Sequence, residues 1–215
     1  NIKDFIADNE SLLSDQKLSG KKLALISFNE KANVDNVKNA LTNAGASIEL
    51  DIQIKDEVLN TTNLEKINTK LNQKFTKKEE VISYIANAIK NSSDTSPLAS
   101  LEELGLVKVR SNSGSYETIN SIVVFNGSTA SGKSKFPGLI KPILDQIKED
   151  KYTVAIASSG ESVGLKDFSK IKIATIDNID EAAGRVSLVD LLASSNIIGN
   201  YGNSLVGDKL LPVGK

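Results

Sequence analysis

The sequence contains one segment with the residue types and spacing of a phosphate-binding loop. Residues 127–134, Gly-Ser-Thr-Ala-Ser-Gly-Lys-Ser, match the pattern G-x-x-x-x-G-K-[ST] and lie between a predicted strand and a predicted helix. In such a loop the backbone N–H groups surround phosphates, a lysine contacts the terminal phosphates and a hydroxyl binds magnesium. The motif therefore gives one hypothesis, nucleoside triphosphate binding through Gly127, Gly132, Lys133 and Ser134.

The residues around this motif favour a flexible Ser/Gly loop instead. A helix that began at Lys133 would hold Pro137 one turn in, where proline lacks a donor and crowds the preceding turn. Pro137 fits better in the first turn of a helix that begins later. The neighbouring predicted strand, 153–157, runs into Ser158, so the metal-binding Asp of a nucleotide site is missing there.

The composition excludes several other kinds of chemistry. The chain has no His, Cys or Met, so it lacks imidazole and thiol catalysts and the ligands that bind soft metals. We therefore expect no metal site, no cofactor and no disulfide. The 26 basic and 27 acidic side chains nearly cancel, and Arg occurs only at Arg110 and Arg185. Such a balance is not typical of proteins that bind nucleic acid.

A group of polar residues near the C-terminal end is the most distinctive part of the sequence. Asp177 or Asp180 is expected to cap the helix that follows, whose apolar stripe is Val186, Val189 and Leu192. With Glu181 these carboxylates also suit a hard cation, but no calcium-loop spacing is present, so capping is favoured. Arg185 and the glycine-flanked Tyr201 are further ligand- or partner-binding candidates, and Tyr201 is suited to packing a turn over a sheet edge.

The elements that would position these residues alternate between strands and helices. In the first half, an apolar strand at 23–28 is followed by a helix that ends at Gly45 and by a strand at 48–54. The second half repeats the order with strands and helices at 122–125, 136–147, 153–157, 171–176 and 182–193. This pattern predicts an α/β fold: a mostly parallel sheet with helices on both faces, built from two β-α-β halves.

The two halves open with strands that end in the same dipeptide, Phe-Asn, at 28–29 and 125–126. In a parallel sheet, ligands bind beyond the carboxyl ends of the strands, near the point where the strand order reverses. We therefore expect four residues at a common ligand- or partner-binding edge: Asn29, Asn126, Gly127 and Ser158. The Ser/Gly/Asn-rich stretch between the halves predicts an internal boundary at 111–119.

Several segments resemble the MctB-like family of bacterial copper transporters. They are Gly20-Lys-Lys-Leu-Ala-Leu-Ile at the first strand, Ala44-Gly45-Ala46 before the second, Asp177-x-x-Asp180 through Gly184-Arg185, and Gly199-x-Tyr201-Gly202. The resemblance extends from about Gly20 to Tyr201, with gaps in the middle. It implies an N-terminal membrane helix, a coiled-coil stretch and an outward-facing α/β domain.

The resemblance also implies how the chain is organised. Residues 1–19, whose apolar side chains are at mostly helical spacing, would end a coiled coil or amphipathic helix, and residues 20–215 would form the α/β domain. A membrane anchor upstream of Asn1, a homo-oligomer paired through the upstream coiled coil and an envelope protein partner are then expected. The family-type ending can carry a histidine at the position where this chain has Asn200, and the chain has no His, Cys or Met to replace it. We therefore do not expect direct copper coordination here.

Three hypotheses of function follow from the sequence. The first is a noncatalytic, extracytoplasmic α/β domain of a membrane-anchored envelope protein that serves copper transport or copper homeostasis. The second is a coiled-coil-paired scaffold that docks an envelope or cell-division partner. The third is nucleoside triphosphate binding through residues 127–134.

Overall fold

The computed structural model describes residues 1–28, 34–125, 135–160 and 165–203 of the 215-residue chain. Seven strands in this part form one sheet in the order β3-β2-β1-β4-β5-β6-β7. The strands are Lys22–Ser27 (β1), Ser47–Ile54 (β2), Val107–Asn112 (β3), Ser121–Phe125 (β4), Tyr152–Ile156 (β5), Ala174–Ile176 (β6) and Asn200–Tyr201 (β7). All neighbouring strands are parallel except β2 and β3, which are antiparallel. The predicted mostly parallel α/β fold is confirmed.

Helices cover both faces of this sheet. The helices are Ile2–Asp8 (α1), Glu10–Ser14 (α2), Asp35–Asn43 (α3), Leu64–Leu71 (α4), Lys78–Lys90 (α5), Ser96–Glu103 (α6), Lys141–Ile147 (α7), Leu165–Ser169 (α8) and Ala182–Ser194 (α9). One face packs against α4 to α8, and the other packs against α3 and α9. A π-helical turn, Phe136–Ile140, precedes α7, and Pro137 lies in its first turn as predicted.

The strands are buried because apolar side chains alternate between two cores. In β1, Leu23 and Leu25 pack on the α3/α9 face, whereas Ala24 and Ile26 pack on the opposite face. All four are almost fully buried, and burying a leucine or isoleucine side chain contributes about 1.5–3 kcal/mol. A continuous apolar run is therefore the pattern that a central parallel strand requires.

The strand order reverses between β1 and β4, which places a topological switch point at the centre of the sheet. The carboxyl ends of the parallel strands lie along one edge, which we call the carboxyl edge. Strand β3 runs in the opposite direction. The Lys55 N–H donates to the Leu106 carbonyl, so the start of β3 lies beside the end of β2.

Strand β3 ends inside the segment 111–119, and the internal boundary predicted there stays a prediction. Ser111 and Asn112 belong to β3 and pair with Asp51 and Leu50 of β2. The Ser113 N–H also donates to the Glu49 carbonyl at 2.8 Å. The polar composition of this stretch follows from its position on an edge strand, which is half exposed and needs few apolar side chains.

The N-terminal residues are helical, as predicted, in α1 and α2. Both short helices pack on the outer surface of α9, where Ile6 and Leu13 contact Ala183 and Val186. Pairing of these helices with another chain stays a prediction. Among the described helices, none has the length and apolar content needed to cross a membrane.

Candidate functional site

The candidate site is the part of the carboxyl edge formed after β5, β6 and β7. Ser158 follows β5, Asp177 and Asp180 follow β6, and Tyr201 ends β7. Arg185 lies in the first turns of α9, directly behind this edge. The structure therefore brings together five of the residues that the sequence singled out.

Asp177 is a buried carboxylate, 3% exposed, that holds β7 in place. Its Oδ1 accepts a hydrogen bond from the Asn203 backbone N–H at 2.8 Å, and its own N–H donates to the Tyr201 carbonyl at 3.1 Å. Gly202, with φ of +129°, lies against this carboxylate so closely that any Cβ would overlap it. Asp177 after β6 and Gly202 after β7 thus pack directly against each other at the sheet edge.

Neither Asp177 nor Asp180 caps α9, so that prediction is wrong. The N-cap residue is Glu181, which has extended backbone and makes no side-chain capping bond. Asp180 instead accepts hydrogen bonds on Oδ1 from the Ser159 backbone N–H at 2.7 Å and from its hydroxyl at 3.0 Å. Asp180 therefore joins the loop after β5 to the loop after β6, a tertiary contact that the spacing within one segment does not reveal.

Glu181 lies at the centre of a second set of contacts. Its Oε1 accepts from the Asn203 amide at 2.8 Å, and its Oε2 lies 3.3 Å from the Lys3 ammonium. Burial raises the pKa of Glu181, but the hydrogen bonds from Asn203, Lys3 and Asn178 outweigh it and lower the pKa below its ordinary value. The carboxylate is therefore held in its charged form by residues from three separate parts of the chain.

Arg185 attaches the N-terminal helices to the domain. Its Nε and Nη2 donate to the two carboxylate oxygens of Glu10, both at 2.8 Å, and its Nη1 donates to the Asp180 carbonyl at 2.8 Å and the Ile179 carbonyl at 3.3 Å. The Glu10 hydrogen bonds raise the pKa of Arg185 against the opposing effect of burial. This two-oxygen geometry is one that arginine forms and lysine does not.

Tyr201 packs into the core on the α3/α9 face and is 7% exposed. Its strand is very short, and the neighbouring Asn200 accepts from the Thr175 hydroxyl at 2.7 Å. Tyr201 thus covers the edge of the sheet, which agrees with its predicted packing role. A direct ligand-binding role for Tyr201 stays a prediction.

A buried lysine at the switch point was missed from the sequence. Lys135 is 5% exposed, its Nζ donates to the Phe28 carbonyl at the end of β1, and it pairs with Asp56 at 2.6 Å. Asp56 follows β2, so the ammonium links residues after two neighbouring strands. Nothing in the local sequence distinguishes Lys135 from a surface lysine, because its burial depends on where the strands meet.

A second buried ionic group lies beneath α3 and was also missed. Asp51 of β2 is almost fully buried and pairs with Lys38 of α3 and with Arg110 of β3. The Arg110 Nη2 also donates to Gln53 at 2.9 Å. These contacts hold the antiparallel edge strand to β2 and α3, so they explain the fold here and supply no free reactive group.

The loop that matches the phosphate-binding pattern lies outside the described residues. Six of the residues singled out from the sequence lie in segments that the structure does not describe: Asn29, Asn126, Gly127, Gly132, Lys133 and Ser134. The strands next to β4 end near Phe28 and Ser158, and the nearest described carboxylates that follow strands along this edge, Asp56 after β2 and Asp177 after β6, are each two strands from β4. Within the described residues, no group of three or more acidic side chains is arranged to hold a metal ion.

Comparison with known proteins identifies the family. No curated protein matches this chain significantly. A family model described as the copper transport outer membrane protein MctB matches residues 1–212, nearly the whole sequence. The match includes the α1/α2 attachment through Arg185 as well as the sheet and its carboxyl edge. The chain therefore belongs to the MctB family of copper transport outer membrane proteins.

Proposed function

We propose that this chain is the extracytoplasmic domain of a membrane-anchored envelope protein, and that it serves copper transport without catalysing a reaction. In this proposal the domain docks a partner and does not coordinate copper itself. Membership of the MctB family supports the connection with copper transport and with the envelope. The absence of His, Cys and Met from the sequence supports a role other than direct copper binding, because those side chains supply the ligands copper prefers.

The main observation is how the polar residues of the carboxyl edge are used. In an open α/β sheet this edge is where ligands and catalytic groups gather. Here Asp177 supports β7, Asp180 joins two loops and Arg185 donates to Glu10 and to two carbonyls. Side chains already committed to internal hydrogen bonds favour a structural use of this edge over a catalytic one.

Copper titration tests the binding part of the proposal. Isothermal calorimetry with Cu(II), and competition with a Cu(I) chelator, are expected to show no saturable uptake at micromolar copper. A positive control is the double variant Ala99→His, Glu103→His, which places two imidazoles four residues apart on the exposed face of α6. Stoichiometric micromolar binding by the unaltered chain would contradict the proposal.

Chemical labelling tests the extracytoplasmic orientation. Because the chain has no cysteine, a single introduced cysteine reports its own position. Asn87→Cys on α5 is exposed, whereas Leu188→Cys on α9 is buried. In intact cells that make the full-length protein, a membrane-impermeant maleimide should label Asn87→Cys and spare Leu188→Cys until denaturation. Labelling of Asn87→Cys only after lysis would place the domain on the cytoplasmic side and overturn the orientation.

One further observation favours a coiled-coil-paired scaffold as the second candidate. Ile2, Phe5 and Leu12 are 65%, 58% and 77% exposed, and with Asn9 they follow the alternating three- and four-residue spacing of a coiled-coil seam. Light scattering on the full-length protein tests this candidate. The double variant Phe5→Ser, Leu12→Ser should lower the oligomeric mass, whereas the control Ile198→Ser, equally exposed elsewhere, should not. A strict monomer before substitution would rule the scaffold out.

A further inference from the structure

A polar groove lies between the N-terminal helices and α3. Its volume is about 650 Å³, and it is bordered by α1 and α2 on one side, by α3 on the other and by the start of α9 at its floor. The volume falls within the range of small-molecule sites. The groove does not include Asp177 or β7, although Asp180 and Arg185 of the carboxyl edge help to line it.

Three asparagines form a row along one side of this groove. Asn36, Asn39 and Asn43 are three and four residues apart, so they lie on the same face of α3, and all three are exposed. At a helical rise of about 1.5 Å per residue, the row is about 10.5 Å long. In the described part of the chain, none of these amides is engaged in a hydrogen bond with another protein group. Each amide therefore presents two donors and one acceptor to the groove.

The charged residues of the groove leave it acidic. Asp8, Glu10 and Asp180 line it, and the only cationic side chain among its lining residues in the described part is Arg185. That guanidinium is already bound to Glu10. Asp8 makes no ion pair with any residue that the structure describes. A ligand with positive charge is thus favoured over a neutral or anionic one.

We propose that this groove binds an extended, basic segment of a partner polypeptide. The inference rests on the proposed docking function and names the site and the chemistry of the partner. Peptide units along an extended chain recur about every 3.3 Å, so the row of amides matches about three residues of the partner segment. The asparagine amides can then pair with the backbone N–H and C=O groups of those three residues. Asp8 and Asp180 then lie within reach of lysine or arginine side chains of the same segment.

A peptide selection tests the inference directly. The probe is a library of random octapeptides displayed on phage, selected against the full chain. Enriched peptides should be rich in Lys and Arg, and they should then be synthesised for anisotropy titration. The triple variant Asn36→Ala, Asn39→Ala, Asn43→Ala should weaken their binding by about tenfold or more, because several hydrogen bonds are lost together. Alanine favours helix, so α3 should stay folded.

Three controls separate backbone recognition from general charge attraction. Asn87→Ala removes an exposed helical asparagine far from the groove and should leave the affinity unchanged. Asp8→Asn should weaken basic peptides by about threefold to tenfold and should act less on neutral ones. Peptides with N-methylated backbones should lose binding to the unaltered chain, because they lack the N–H groups that donate to the amide oxygens.

Several outcomes would overturn the inference. They are a failure to enrich any peptide over the triple variant, enrichment of acidic peptides, or binding that the triple variant retains. Saturable binding of a neutral hexasaccharide of N-acetylglucosamine in the groove, with no peptide enriched, would also refute it and would assign the amides to a glycan. Each of these results leaves the labelling experiment on orientation untouched, so failure of the groove and failure of the proposed function are distinguishable.

Discussion

Replacing Gly184 with alanine probes the closest approach between α9 and the loop that follows β6. Gly184 lies in the first turn of α9, directly against Asn178. A Cβ at this position would lie 2.5 Å from the Asn178 carbonyl carbon and closer still to its oxygen, and 2.9 Å from its side-chain Oδ1. The carbonyl is backbone, so the helix or the loop must move to make room.

The size of the effect follows from two opposing contributions. Alanine is better than glycine in a helix by about 1 kcal/mol. Overpacking a well-ordered site costs about 1–3 kcal/mol, and the upper end applies here because the contact is with backbone and α9 is deeply buried. We expect a net loss of about 2 kcal/mol in the free energy of unfolding, or about 4–8 °C in Tm for a domain of this size.

A matched substitution elsewhere makes the test specific. Gly138 lies in the helical turn before α7. Among the described residues, only the Leu59 side chain lies near its would-be Cβ, at an ordinary contact distance of 3.4 Å. Gly138→Ala should therefore be neutral or stabilise the protein by up to about 1 kcal/mol. Urea unfolding followed by circular dichroism gives both free energies. If Gly184→Ala stabilised the chain as Gly138→Ala does, the close packing of α9 on Asn178 would be refuted.

Two further predictions concern the ionic contacts of the same region. Arg185→Ala should destabilise the chain by about 2 kcal/mol, since charged hydrogen bonds to Glu10 and two carbonyls are lost. In this variant, amide hydrogen exchange at residues 2–14 should become faster, and Arg185→Lys should restore little of the lost stability. Unchanged exchange at residues 2–14 would contradict the role of Arg185 in attaching the N-terminal helices. Glu181→Gln should cost stability at neutral pH, and the difference from the unaltered chain should shrink as pH falls through the acidic range. The sign follows because the folded-state pKa of Glu181 is lowered, so its charged form stabilises the fold only above that range. A pH-independent difference would count against this interpretation.

The strands and several helix ends could be predicted from local pattern. The apolar run of β1 and the alternation in β2 are local signals, and both strands form where expected. Gly45 and Gly105 end helices with positive φ, because glycine adopts that conformation without steric cost. At the start of α5 the Thr76 N–H and hydroxyl both donate to Glu80, a residue of the first turn, although the N-cap residue is Lys77.

The roles of the polar residues could not be predicted in the same way. Asp177 and Asp180 have the spacing of capping residues, yet each bonds to a segment more than twenty positions away, Asn203 and Ser159. Arg185 pairs with Glu10 across almost the whole chain. Lys135 has no local feature that marks it as buried. Hydrogen-bond partners of this kind are fixed by which loops the sheet brings together, and the sequence order does not contain that information.

The sequence by itself determined the α/β class, the main elements and the absence of soft copper ligands, because these depend on residue type and short-range periodicity. It also carried the resemblance to the MctB family, which the family model over residues 1–212 confirms. Only the tertiary structure decided that the distinctive carboxylates and Arg185 serve as internal attachments, and that three asparagines of α3 face an acidic groove. The physical reason is that a polar group acts through its partners, and partners distant in sequence meet only when the chain folds.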